Sequence, residues 1–194
     1  VACSLAPAHP EFAPMGDNGR VSTPATPPQT FRVCFVCTGN ICRSPMAEIV
    51  FRELATRRGF GSLVTVTSRG TGDWHVGEPA DPRTVAALDA AGFDGREHRA
   101  AQFQRADFAA NDLIVALDQG HLRSLRSLAV EQSERDTVEM LLGFLPGSGA
   151  DLDVPDPYYG EPSDFARVLD TVTRGCTALL NHLTPVLTHG DPRS

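Results

Sequence analysis

The sequence predicts an α/β domain built on a doubly wound, four-stranded parallel sheet flanked by helices. Short, continuously apolar runs suit strands covered on both faces. Amphipathic helical stretches alternate with those runs along the chain, which is the pattern of a parallel sheet with crossover helices. A length of 194 residues gives one domain with a self-sufficient core and leaves a surplus.

The surplus lies at the N-terminus. Residues 1–30 carry six of the 15 prolines (Pro7, Pro10, Pro14, Pro24, Pro27 and Pro28) among Ala, Ser, Thr and Gly. Such a stretch buries too little apolar surface to offset its ordering entropy. It is expected to be a disordered extension, with Met15 a candidate alternative start. The domain is expected over 31–187, followed by a tail over 188–194.

RVCFV, from Arg32, opens the domain as a first strand. After the loop CTGNIC, SPMAEIVFRELATRR predicts a helix, with Ser44 as its cap, Pro45 at its first position, and Met46, Ile49, Val50 and Leu54 at helical spacing. LVTVTSRGT (63–71) is a second strand, and Asp81-Pro82 starts a helix that runs through Leu88 to Gly92. DLIVALD (112–118) is a third strand, a helix follows over about 119–129, VEMLLGF (138–144) is a fourth strand, and a long amphipathic helix over 165–183 closes the domain. In such a sheet the ligand site lies at the carboxyl ends of the strands, so the loop after the first strand is the place to look.

Composition removes several classes of function. With 17 Lys and Arg against 24 Asp and Glu the net charge is −7, so no nucleic-acid partner is expected. No apolar run approaches the roughly 18 residues of a membrane span, so no membrane is expected either. The five cysteines (Cys3, Cys34, Cys37, Cys42 and Cys176) are odd in number and three fall within nine residues, which is not a disulfide framework. A reducing cytoplasm is the expected compartment, since the N-terminus lacks the basic and unbroken apolar regions of a secretory signal.

Cys37-Thr38-Gly39-Asn40-Ile41-Cys42-Arg43-Ser44 separates a Cys from an Arg by five residues and runs straight into a helix N-terminus. Backbone N–H groups of a Gly-containing loop at a helix start converge on an anion, and the helix dipole adds to that field. The same field lowers a thiol pKa, so Cys37 is expected to be a thiolate at neutral pH. Arg43 supplies the planar fork that grips two phosphoryl oxygens at once. Thiolate and cradle together point to phosphoryl transfer to sulfur. Cys34 and Cys176 are assigned to inert core positions.

FVCTGNICRSPMAE resembles the signature of the low-molecular-weight protein tyrosine phosphatases, and the resemblance continues through TGDWHVG, HRAAQ, IVALD and DPYYG over roughly residues 32–185, with a marked likeness to mycobacterial members. It implies a flavodoxin-like fold, Cys37 as nucleophile, Arg43 as transition-state clamp and Asp156 as general acid. A phenolate leaving group, with a conjugate acid pKa of about 10, gives that acid its value. It further implies phosphate binding by Thr38, Gly39, Asn40, Ile41, Cys42 and Ser44, with Asn40 bracing the loop and Ser44 donating to the thiolate. Asp118 is a supporting partner, and Trp74, His75, Tyr158 and Tyr159 wall the entrance. Tyrosine-phosphorylated proteins are the implied substrates, and a tyrosine kinase acting on Tyr158 or Tyr159 is a further implied partner. A monomer is expected, and export without a signal peptide is the alternative to a cytoplasmic location. Arg69 or Arg99 is expected to add positive field to the cleft.

Three rivals share the loop. A thioredoxin-coupled arsenate reductase needs two further cysteines in the second half of the chain, where Cys176 stands by itself. A protein-arginine phosphatase carries Thr where this sequence has Ile41. A binding-only scaffold has no use for the acid Asp156. The reading is therefore a metal-free and cofactor-free hydrolysis through phosphocysteine. The six histidines are scattered without metal-ligand spacing. Cys42 is a candidate to capture an oxidised Cys37 as a disulfide.

Overall fold

A computed structural model of the chain describes residues 30–149 and 151–189. The expected extension over 1–30 lies outside the described residues except for Thr30, and so does most of the 188–194 tail. Strands β1 (Phe31–Cys37), β2 (Val64–Gly70), β3 (Leu113–Ala116) and β4 (Val138–Met140) pair in the order β2-β1-β3-β4, and every pairing is parallel. The helices are α1 (Arg43–Arg57), α2 (Pro82–Ala90), α3 (Ala106–Ala110), α4 (Gln119–Leu128), α5 (Gln132–Asp136) and α6 (Pro162–His189).

Alternation along β1 divides the core in two, because successive side chains leave a strand on opposite faces. Val33 and Phe35 meet Met46 and Val50 of α1 and Phe165, Val172 and Leu179 of α6. Cys34 and Val36 meet Phe108 of α3 and Leu125 of α4. Helices thus cover both faces, as the sequence predicts. Cys34 and Cys176 are fully buried, and burial pushes Cys34 up to about 12 and Cys176 further still. Both are the inert core thiols expected of them.

Four sequence expectations need correction. Cys42, not Ser44, is the N-cap of α1, and no side chain caps it. Pro45 therefore sits third in the helix rather than first, still within the first turn whose N–H groups have no partner in the helix. The fourth strand stops at Met140 and continues as a 3₁₀ turn over Leu141–Phe144, because β3 ends opposite it at Ala116. The closing helix is longer at both ends than 165–183. Among the described residues no helix is long and apolar enough to cross a membrane.

Candidate active site

β1 and β3 are neighbours whose chains depart to opposite sides of the sheet, so the crevice beyond their carboxyl ends is the switch point where such sheets bind ligands. The loop over residues 38–42 fills it. Three neighbouring amides fix its course: Thr71 N–H donates to the Cys37 carbonyl at 2.8 Å, Gly72 N–H to Thr38 at 3.0 Å, and Asp81 N–H to Ile41 at 2.9 Å. Gly70 permits this approach, since a Cβ there would stand 2.7 Å from the Thr38 carbonyl oxygen.

Asn40 turns the loop with φ of 56°, a left-handed conformation that Asn tolerates better than most residues. It is 1 % exposed and every polar group of its side chain is used. Nδ2 donates to Ser44 Oγ at 2.8 Å and Ser68 Oγ at 2.9 Å, and Oδ1 accepts from the Ala101 amide at 2.9 Å. Ser68 donates onward to Glu48 at 2.6 Å. His98 Nε2 lies 2.8 Å from the Asn40 carbonyl, which only accepts, so Nε2 carries the proton there. Burial is the main influence holding His98 below the ordinary imidazole value. Ser44 Oγ stands 3.0 Å from Cys37 Sγ, so the buried chain from Glu48 ends at the thiol.

Arg43 is almost wholly buried, and its guanidinium is already engaged on three sides. Nη1 donates to Asp118 Oδ2 at 2.8 Å and to the Val154 carbonyl at 3.1 Å, and Nη2 donates to Asp156 Oδ2 at 2.8 Å. Asp118, with its side chain 21% exposed, stands beside Arg43 as a partner. Its other oxygen caps α4 by accepting from the His121 amide at 2.8 Å. Burial pushes its carboxyl up, but the His121 amide and ring together with Arg43 outweigh that and hold it below the usual range. His121 is 3 % exposed, and burial pulls it down to about 4. Its Nε2 lies 2.8 Å from Thr38 Oγ1, while its Nδ1 approaches Asp118 Oδ1 at 3.1 Å out of line for a hydrogen bond.

A cleft of about 420 Å³ opens above this floor, lined by Cys37, Thr38, Gly39, Ile41, Cys42, Arg43, Trp74, His75, Asp156, Tyr158 and Tyr159. Asn40 and Ser44 are not in this lining; their side chains lie behind the loop, where Asn40 Nδ2 meets Ser44 Oγ and Ser44 Oγ meets Cys37 Sγ. Trp74 and the edge-to-face pair Tyr158–Tyr159, with centroids 4.9 Å apart, form an exposed aromatic rim. Cys37 lies beneath it at 3 % exposure. Arg69 and Arg99 do not line the cleft: Arg69 faces Asp107, and Arg99 caps the carbonyls of Arg96 and His98. A wider depression of about 510 Å³, which includes Phe31, Arg32 and Asp112, opens by the start of β1 and has no thiol in its lining.

Glu48, Ser68, His98 and His121 escaped the sequence reading. Only His121 had a local signal, an Asp followed three residues later by His at a helix start, which brings both to one turn.

The family model of low molecular weight phosphotyrosine protein phosphatase matches residues 32–186. A low molecular weight protein-tyrosine-phosphatase of Streptomyces coelicolor is 54% identical over 152 residues, covering 78% of this chain and 92% of its own. Low molecular weight protein-tyrosine phosphatase A of Mycobacterium tuberculosis is 48% identical over 161 residues, 82% of this chain and 96% of its own. Among solved structures, YfkJ from Bacillus subtilis superposes with a TM-score of 0.75 at 36% identity, over 81% of this chain and 96% of that one. A fold, a loop and a match over nearly the whole described domain agree: the chain belongs to the low molecular weight phosphotyrosine protein phosphatases, a family of hydrolases.

Proposed function

We propose that this phosphatase hydrolyses phosphotyrosine in proteins through a phosphocysteine intermediate, without metal or cofactor. Cys37 Sγ attacks phosphorus; the S–P bond forms as the P–O bond to the phenolate breaks, and Asp156 gives the departing oxygen its proton. Arg43 and the loop amides hold the equatorial oxygens. Asp156, now ionised, takes a proton from water as its oxygen attacks phosphorus, the S–P bond breaks, and phosphate leaves. Thr38, Gly39, Asn40, Ile41, Cys42 and Ser44 contribute the cradle, and Trp74, His75, Tyr158 and Tyr159 hold the ring. The observation that carries this reading is the position of Arg43, which reaches Asp156 at 2.8 Å from within the loop that begins at the recessed Cys37 thiol. A thiol sunk beneath an aromatic rim favours a long planar ester over a short alkyl one. Tyr159, 97 % exposed, and Tyr158 are further proposed as kinase targets that add charge beside the cleft; unchanged turnover after stoichiometric phosphorylation refutes that.

The test is phosphate release from matched phosphotyrosine, phosphoserine and phosphoarginine peptides in EDTA, with Cys37→Ser as the blank. Fast, Cys37-dependent release from phosphotyrosine alone is the expected result. A preference for phosphoarginine overturns the substrate, and this is disfavoured by Ile41, which has no hydroxyl to bring to the cleft. Loss of release in EDTA overturns the metal-free mechanism.

A further inference from the structure

The acid-bearing segment is poorly anchored by packing. From Pro155 to Gly160 only Pro157 is buried; Asp156, Tyr158 and Tyr159 face solvent. Its beginning is tied down where Val154 N–H donates to the Leu117 carbonyl at 2.8 Å and Arg43 reaches the Val154 carbonyl at 3.1 Å. Its far end is held by Arg83. Nη2 donates to the Tyr158 carbonyl at 2.9 Å and Nη1 to the Gly160 carbonyl at 3.0 Å, one on each side of Tyr159. The guanidinium also lies 4.4 Å from the centroid of Phe165 in α6.

Arg83 is itself fixed. Its Nε and Nη2 grip both oxygens of Asp81 at 3.0 and 2.8 Å, and Asp81 also caps α2 by accepting from the Arg83 amide at 2.8 Å. The Asp81 amide donates to the Ile41 carbonyl of the phosphate loop at 2.9 Å. A continuous path therefore runs from the loop that begins at Cys37, through Asp81 and Arg83, to the carbonyls just beyond Asp156. Tyr158 N–H closes it by donating to Asp156 Oδ1 at 3.1 Å. A lysine has no planar fork with which to serve a carboxylate and two carbonyls in this way.

We propose that Arg83 is a positioning residue that latches the segment carrying Asp156 and Tyr158 to the phosphate loop, so that the acid stays in reach of the leaving oxygen. This rests on Asp156 being the general acid. A proton donor works only within hydrogen-bond reach of the atom it protonates. Releasing the latch therefore penalises substrates in proportion to their need for that proton, and spares those with good leaving groups.

The experiment is kcat/KM for a series of aryl phosphates, from dinitrophenyl phosphate to phenyl phosphate, in the parent, Arg83→Met, Arg83→Lys and Asp156→Asn. Both Arg83 variants are expected to lose about tenfold or more on phenyl phosphate, a fraction of the 10²–10⁴ available to general acid catalysis, and less than about twofold on dinitrophenyl phosphate. Asp156→Asn is expected to show the same divergence, enlarged. An equal loss across the series makes Arg83 merely structural and overturns the latch, as does no loss at all. If Asp156→Asn shows no divergence, the acid reading itself falls and takes the latch with it. Divergence in Asp156→Asn without divergence in either Arg83 variant sinks the latch and leaves the acid standing. The lysine variant, which keeps the charge beside Asp81, carries the test if the methionine variant folds poorly.

Discussion

Replacing Asn40 separates two contributions that its position combines. Asn40→Ala removes three side-chain hydrogen bonds, to Ser44, Ser68 and the Ala101 amide. At about 1 kcal/mol each, their loss amounts to roughly 3 kcal/mol. Alanine at φ of 56° also carries the left-handed penalty of an ordinary Cβ, about 1 kcal/mol more. The expected loss is thus about 4 kcal/mol, within the stability of an ordinary domain, so the variant folds. Asn40→Gly loses the same hydrogen bonds without the Cβ penalty and should be about 1 kcal/mol less damaged. Urea unfolding at constant m measures both. Because Ser44 meets the Cys37 thiol and the loop is turned by Asn40, kcat/KM toward an aryl phosphate should fall on the order of 10²-fold in Asn40→Ala. A glycine variant no more stable than the alanine variant, or an alanine variant that loses less than about 1 kcal/mol, refutes the reasoning. Lost stability with intact kcat/KM shows that the network supports the fold and not the chemistry.

His121 binds its proton at about 4 in the folded chain and near 6.5 in the unfolded one, so stability is full above that upper value and declines as pH falls toward the lower. From pH 7 to pH 5 the decline attributable to it is about 2 kcal/mol by linkage, and His121→Gln should remove that part of the slope in urea titrations; an unchanged slope counts against it. Cys42 is pushed up to about 12, chiefly by burial, so it rests as a thiol in the same cleft as Cys37. Peroxide-inactivated parent should recover activity with dithiothreitol while Cys42→Ala should not; equal recovery excludes the protective disulfide. A Cβ at Gly175 would meet Leu141 Cγ at 2.7 Å, so Gly175→Ala should destabilise by about 1–3 kcal/mol despite alanine's better helix propensity; a raised melting temperature contradicts this.

What was legible in the sequence is what is encoded locally. β1, the loop and α1 form a strand, a tight turn and a helix within some 25 residues, and Asp81-Pro82 marks a helix start by its own chemistry. Ser44 misled because Ser before Pro and an apolar run is a cap signal, whereas its hydroxyl here serves Cys37 and Asn40. VEMLLGF cannot reveal its own break, since a continuous apolar run reads alike in a strand and a buried turn, and only the length of β3 decides where pairing ends. α3 and α5 have five residues each, too few for a periodicity to register. Glu48, Ser68, His98 and Arg83 lie 20 to 80 residues from the groups they support, and a polar residue's tertiary partner leaves no local trace.

Arg43 faces two carboxylates with one guanidinium, and the two are not equivalent. Each carboxylate gives one oxygen to Arg43 and the other to a backbone amide, Asp118 to the cap of α4 and Asp156 to Tyr158, but the Asp118 side chain is 21% exposed and that of Asp156 is 51% exposed. In the proposed mechanism a phosphoryl dianion that needs the Arg43 fork displaces the looser partner and leaves the tighter one to keep the guanidinium aligned. In the reaction proposed above, the displaced Asp156 is the group that gives up a proton. The leaving phenolate requires that proton. In the proposed mechanism substrate binding thus frees Asp156 from its resting ion pair, while Arg83 keeps the freed residue within reach.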